Sequence, residues 1–231
     1  GGSPPREYSP PTESGDYTVS VSNVDAAGNV SEATAVTFTL DTTLDTPTIT
    51  LDEDTGPDAD DNNVTTNPSL TLSDPAADVT RVVTVNGVEQ GADYTPPSDD
   101  GEYTVEVTDT DDAGNVATAT LTFTLQTTPP DAPTADLTND TGASDNDDLT
   151  NDASLTLSPV PEGGAREVVV NGGAPTPEYT PPTVDGDYTV EIRDIDAAGN
   201  ISDVTTVTFT LDTTLATPTI TLDTDTGVSA D

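Results

Sequence analysis

The stretch Asp185–Asn200, DGDYTVEIRDIDAAGN, occurs in related form at 14–29 and again at 100–115. Other landmarks keep the same spacing. Tyr-x-Pro-Pro starts at Tyr8, Tyr94 and Tyr179, Phe-Thr-Leu at Phe38, Phe123 and Phe209, and Asp-Thr-Gly at Asp54, Asp140 and Asp225. A fixed period of this length means that one supersecondary unit is copied along the chain. The boundaries fall as two whole repeats, 44–128 and 129–214, preceded by the later part of a repeat at 1–43 and followed by the opening of another at 215–231. Gly1-Gly2-Ser3-Pro4 aligns with Gly172-Gly173-Ala174-Pro175, so the chain reads as an excerpt from a longer array. The two partial repeats are expected to be less ordered than 44–214.

Composition narrows the partners. The formal net charge is −40, from 44 Asp plus Glu against 4 Lys plus Arg. Phosphate-backbone binding needs cations that this chain lacks, so nucleic acid is excluded as a main partner. Anionic membrane surfaces are disfavoured for the same reason, and no apolar run is long enough for direct membrane insertion. There is no Cys or His, which removes thiol chemistry, disulfides and Cys/His zinc sites. Hydrophobic content of 31% suits a small two-layer core in each repeat rather than one large core.

Within the second repeat, Thr48–Leu51, Ser69–Ser73, Arg81–Val85 and Tyr103–Val107 alternate apolar and polar residues and read as strands. Asn86-Gly87 is a hairpin turn signal. Tyr94-Thr95-Pro96-Pro97 is expected to be an edge or a connection, because proline cannot donate to a ladder. Asp52–Asn67 reads as a long acidic loop. In the last strand Val116 is out of phase with Leu121, Phe123 and Leu125, which predicts a bulge or strand switch between 116 and 121. About seven short strands with no helical period predict an all-β fold: tandem β-sandwich domains of the immunoglobulin type. The Gly-acid-Tyr triplets at Tyr17, Tyr103 and Tyr188 read as the tyrosine corner of that fold.

Immunoglobulin topology brings particular loops to the domain ends. The A–B loop (Asp54, Asp61; Asp140, Asp145), the E–F turn (Asp100; Asp185) and the linker (Asp41, Asp212) are expected at one end of a domain. The F–G loop of the next domain (Asp109, Asp111, Asn115; Asp194, Asp196, Asn200) approaches from the other side. Asp carboxylates, Asn carbonyls and loop oxygens suit Ca²⁺, which accepts several oxygen ligands in flexible geometry. The competing reading is that loops are acidic because they are solvated. Gln126 replaces the linker acid of Asp41 and Asp212, so that junction is expected to bind more weakly.

The combined pattern Asp-Thr-Gly…Val-Asn-Gly…Asp-Gly-x-Tyr-Thr-Val…Asp-Ala-Ala-Gly-Asn…Phe-Thr-Leu-Asp-Thr-Thr resembles the bacterial immunoglobulin-like repeats of giant secreted adhesins, of the biofilm-associated and RTX type. The resemblance implies type I secretion, a cell-surface location and Ca²⁺-stiffened spacer repeats, with the adhesion ligand bound elsewhere in the parent protein. It implies Ca²⁺ ligands at Asp41, Asp54, Asp61, Asp111, Asp140, Asp145, Asp196 and Asp212. Asp112, where the other copies have Ala26 and Ala197, departs from the pattern.

No catalytic role is expected, because every aromatic residue belongs to a repeated position, whereas a catalytic pocket needs a constellation that occurs once. The partners expected are neighbouring repeats and calcium ions. The alternatives are a ligand-binding adhesin module and an acidic surface-layer or halophilic structural protein without specific Ca²⁺ dependence.

Overall fold

A computed structural model of the chain describes residues 7–57, 62–142, 144, 146–223 and 227. It is all-β, and its contacts divide it into two compact units, Gly1–Thr55 with Asp60–Thr127 and Gly56–Ala59 with Thr128–Asp231.

The first unit begins with a hairpin of β1 (Gly15–Val21) and β2 (Thr34–Leu40). A complete sandwich follows. One layer pairs β3 (Ile49–Leu51) with β5 (Leu70–Leu72). The other also contains β4 (Val64–Thr65), β6 (Val79–Val85), β7 (Val88–Gly91), β8 (Gly101–Asp111) and β9 (Val116–Leu125), in the order β4-β9-β8-β6-β7. The second unit repeats the plan. Its small sheet pairs β10 (Ala135–Leu137) with β12 (Leu155–Leu157). Its large sheet runs β11-β15-β14-β13, from Leu149–Thr150, Thr205–Leu211, Gly186–Ile195 and Ala165–Val170.

The alternation of the sequence sets the core. Inward positions of β6, β8 and β9 place Val83, Val85, Val105, Val107, Phe123 and Leu125 at 8% exposure or less, against Ile49, Leu51, Leu70 and Leu72 of the small sheet. The second unit buries Val168, Val190, Ile192, Phe209 and Leu211 in the same way. Each such side chain contributes about 1.5–3 kcal/mol on burial. On β1–β2 the corresponding face is open: Phe38 is 38% exposed where Phe123 is 1%.

The tyrosine corner is present in all three copies. The hydroxyls of Tyr17, Tyr103 and Tyr188 donate to the carbonyls of Glu13, Asp99 and Val184, each four residues upstream. Tyr94 lies in a connection, as its prolines require, and its hydroxyl donates to the Pro68 carbonyl at 2.8 Å.

Two expectations are corrected. No bulge interrupts β8–β9, whose register runs unbroken from Gly101↔Leu125 to Thr110↔Val116. Ala117 and Ala119 carry the inward phase, and Val116 faces solvent at 63% exposure. The ladder shift lies instead between β6 and β7, at Val83/Thr84. The acidic stretch 52–67 is also not all loop, since within it β4 joins the large sheet by pairing parallel to the end of β9.

Candidate functional site

The inward ladder between β6 and β8 changes character along its length. Val85 stands opposite Val105, Val83 opposite Val107, and Arg81 opposite Asp109. The last pair is ionic and buried, with side-chain exposures of 6% and 5%. Arg81 donates from Nε and Nη2 to the two Asp109 carboxylate oxygens, both at 2.8 Å, and from Nη1 to the Ser73 carbonyl just past β5. The pair therefore ties the two sheets together, in the bidentate geometry that makes such bonds strong. The carboxylate raises the Arg81 pKa, chiefly through its hydrogen bond. Arg166 and Asp194 repeat the arrangement at 2.7 and 2.8 Å, with Nη1 on the Ser158 carbonyl at 2.8 Å. Both oxygens of Asp109 and of Asp194, two of the acids expected at a cation site, thus accept hydrogen bonds from a guanidinium.

The Asp-x-Ala-Gly-Asn loops close on themselves. The Asp111 carboxylate accepts Asn115 N–H and Nδ2–H, both at 2.8 Å. Asp196 accepts Ala198 N–H at 3.0 Å, Asn200 N–H at 2.8 Å and Asn200 Nδ2–H at 2.9 Å. Asp25 and Asn29 do the same in the first copy. The Asn side-chain hydrogen bond is the main reason the Asp25 and Asp111 carboxyls are held below their usual pKa.

The E–F acids grip the outgoing linker. Asp100 Oδ1 accepts Thr127 N–H at 2.7 Å and its hydroxyl at 2.6 Å. Asp185 takes the corresponding pair from Thr213 at 2.8 and 2.6 Å, and adds the Thr214 hydroxyl at 3.0 Å. The Thr213 hydroxyl is the first cause of its lowered pKa. Asp41 and Asp212 cap their own linker turns, accepting from Thr43 and Thr214 N–H at 3.2 and 3.1 Å.

One expected convergence lies within the first unit. Asn115 Nδ2 donates to the Asp41 carbonyl at 3.2 Å, joining the linker before β3 to the β8–β9 loop. A cavity of about 510 Å³ opens beside them, with Asp41, Asp45, Asp74, Asp109 and Asp111 among its lining. These acids do not converge on one point: among the described residues no three acids are grouped closely enough to hold a metal ion.

In the loops before β4 and β11, Asp54 Oδ2 accepts Asn63 N–H at 3.1 Å, and Asp140 Oδ2 accepts Asp147 and Asp148 N–H at 3.1 and 3.2 Å. Asp140 Oδ1 is different, a buried oxygen with no hydrogen-bond partner among the described residues. A buried carboxylate oxygen without a donor is costly unless a cation or water meets it. Among the described residues it is the buried side-chain oxygen that a cation could meet. Asp61 and Asp145 lie outside the described residues.

The partners missed from the sequence were Arg81, Arg166 and the linker threonines. A signal was present, since Arg81–Asp109 and Arg166–Asp194 share a separation of 28 residues.

Family models described as bacterial Ig-like domain match residues 43–127 in one case, and 7–42 with 151–213 in the other. The repeats are bacterial Ig-like domains. No curated protein matches the chain. Among solved structures, fibronectin(III)-like modules of Clostridium thermocellum CbhA are 12% identical, with TM-score 0.38, covering 71% of this chain and 94% of theirs. A tetra-tandem repeat from the extending region of a large adhesion protein is 22% identical with TM-score 0.32. That match covers 87% of this chain and 57% of the other. Bacteroides ovatus SGBP-B, in complex with a mixed-linkage heptasaccharide, is 16% identical with TM-score 0.24, covering 71% of this chain and 48% of its own. No helix among the described residues of these Ig-like domains is long and apolar enough to cross a membrane.

Proposed function

We propose that these bacterial Ig-like domains form a non-catalytic extender of a large adhesin on the bacterial surface, spacing an adhesive element from the cell and supporting adhesion and biofilm formation, with Ca²⁺ stiffening the array. The observation that carries the calcium reading is Asp140 Oδ1, buried and without a hydrogen-bond partner among the described residues. Asp140 would hold the ion, Asp54 its counterpart in the first unit, and Asp41 and Asp111 are further candidates around the cavity beside Asn115. Bound Ca²⁺ supplies positive charge that cross-links loops whose carboxylates otherwise repel one another. Extracellular modules bind Ca²⁺ with dissociation constants of roughly 10⁻⁴–10⁻³ M, so such sites fill outside the cell and stand empty before export by a type I system.

A second reading has its own support. The carboxylates of Asp25, Asp111 and Asp196 are satisfied by their own loops, as turn-forming acids of a halophilic structural protein would be. Thermal unfolding of the full chain in EGTA, in Ca²⁺ and in NaCl of matched ionic strength separates the two. A rise specific to Ca²⁺ supports the extender with calcium. An equal gain from NaCl supports the acidic structural reading.

A further inference from the structure

The chain contains two Asn-Gly pairs, Asn86-Gly87 and Asn171-Gly172, at equivalent places in the two complete domains. Asn-Gly is the dipeptide most open to spontaneous deamidation, because glycine leaves the attacking backbone nitrogen unshielded. In the reaction the Gly nitrogen bonds to Asn Cγ, the Cγ–Nδ2 bond breaks and ammonia leaves with the displaced proton. Water then opens the resulting imide at either carbonyl, giving aspartate or isoaspartate. Ring closure requires the Gly nitrogen to swing to the side of the Asn Cβ.

The fold holds it on the other side. Asn86 and Asn171 both have φ of 49°, and the glycines 76° and 69°. This is the double left-handed conformation of a type I′ hairpin turn. With ψ near the left-handed value of about +47°, the next nitrogen stands nearly opposite Cβ, so closure needs the peptide to turn over. The side-chain amide is pinned as well. Asn86 Oδ1 accepts Thr104 N–H at 2.8 Å and its Nδ2 donates to the Glu102 carbonyl at 3.2 Å. Asn171 makes the same clip to Thr189 N–H at 2.7 Å and to the Asp187 carbonyl at 3.2 Å. The Asn backbone N–H groups add bonds to the Thr104 and Thr189 carbonyls, both at 2.8 Å.

We propose that Asn86 and Asn171 are latent deamidation sites that the native turn keeps shut, so that their modification records unfolding of each domain. The modification also weakens the refolded domain. A carboxylate cannot donate to the Glu102 or Asp187 carbonyl, and isoaspartate lengthens the backbone inside a two-residue turn.

The test incubates the full chain at mildly alkaline pH, once in buffer and once in urea that unfolds it, and follows both sites by peptide mass spectrometry. An N171Q variant, which leaves Asn86 as the sole Asn-Gly, assigns the signals. Protection should follow how rarely the turn opens, on the order of a hundredfold or more over the unfolded chain. Equal rates in buffer and urea at either site would overturn the proposal. Faster loss in urea at Asn86 and Asn171, with the folded chain intact over the same period, supports it.

Discussion

Replacing Asp109 by Asn tests the role assigned to the buried pair. Asn keeps the shape of the carboxylate but takes the bidentate partner charge from the Arg81 guanidinium, 6% exposed, and leaves only the more distant Asp74 to offset it. One Asn oxygen can still accept from Nε, while the Asn amide nitrogen faces Nη2, donor against donor. Breaking a buried pair on one side costs roughly 3–5 kcal/mol. At roughly 4–8 °C per kcal/mol for a domain of this size, melting of the first unit should fall by at least about 12 °C. The second unit keeps Arg166 and Asp194 and serves as an internal reference in the same calorimetric trace. The double variant Arg81→Met, Asp109→Leu should recover most of the loss, since well-packed apolar residues often replace a buried pair without penalty. A cost below about 1 kcal/mol for Asp109→Asn, the size of an exposed pair, would refute the reasoning.

Further outcomes follow from other contacts. Burial pushes the Tyr94 and Tyr179 phenols up to about 12. Folding favours their neutral form, so stability should hold below the ordinary tyrosine value near 10 and fall as pH rises through about 12; circular dichroism against pH checks this, and Tyr94→Phe should blunt the loss in the first unit. Asp25, Asp111 and Asp185 are held below the usual carboxylate range. Their contribution should be complete above that range and vanish as pH falls through the lowered values, visible as reduced loop amide protection in acid. Gly164→Ala would drive a Cβ into the Ile195 carbonyl oxygen. It should cost about 1–3 kcal/mol by overpacking, read as a lower urea midpoint for the second unit alone.

What could be read from the sequence was whatever repeats and whatever is local. Period, strand alternation and the Gly-acid-Tyr corner are local patterns copied three times, and the sandwich follows from them. The face of Leu121, Phe123 and Leu125 and the outward Val116 were legible, but the bulge expected between 116 and 121 is absent, because the weakly apolar Ala117 and Ala119 continue the inward face and strand register follows the pleat rather than hydrophobicity alone. β4 spans two residues, too short for any periodicity to show, and exists because the end of β9 offers it a partner. The acids were found by their recurrence, which cannot distinguish ligand from tether. Asp109 meets Arg81 across 28 residues and Asp100 meets Thr127 across 27. Only the folded sheet reveals that these carboxylates are already occupied, and only burial singles out Asp140.

The most direct test of the central claim is calorimetric titration of the full chain with Ca²⁺ at fixed ionic strength, beside the Asp140→Ala variant. The account predicts saturable binding with dissociation constants of roughly 10⁻⁴–10⁻³ M, and at least one site lost in the variant while its folded circular dichroism is kept. Heats no different from those of added NaCl, or identical isotherms for the two proteins, would contradict it.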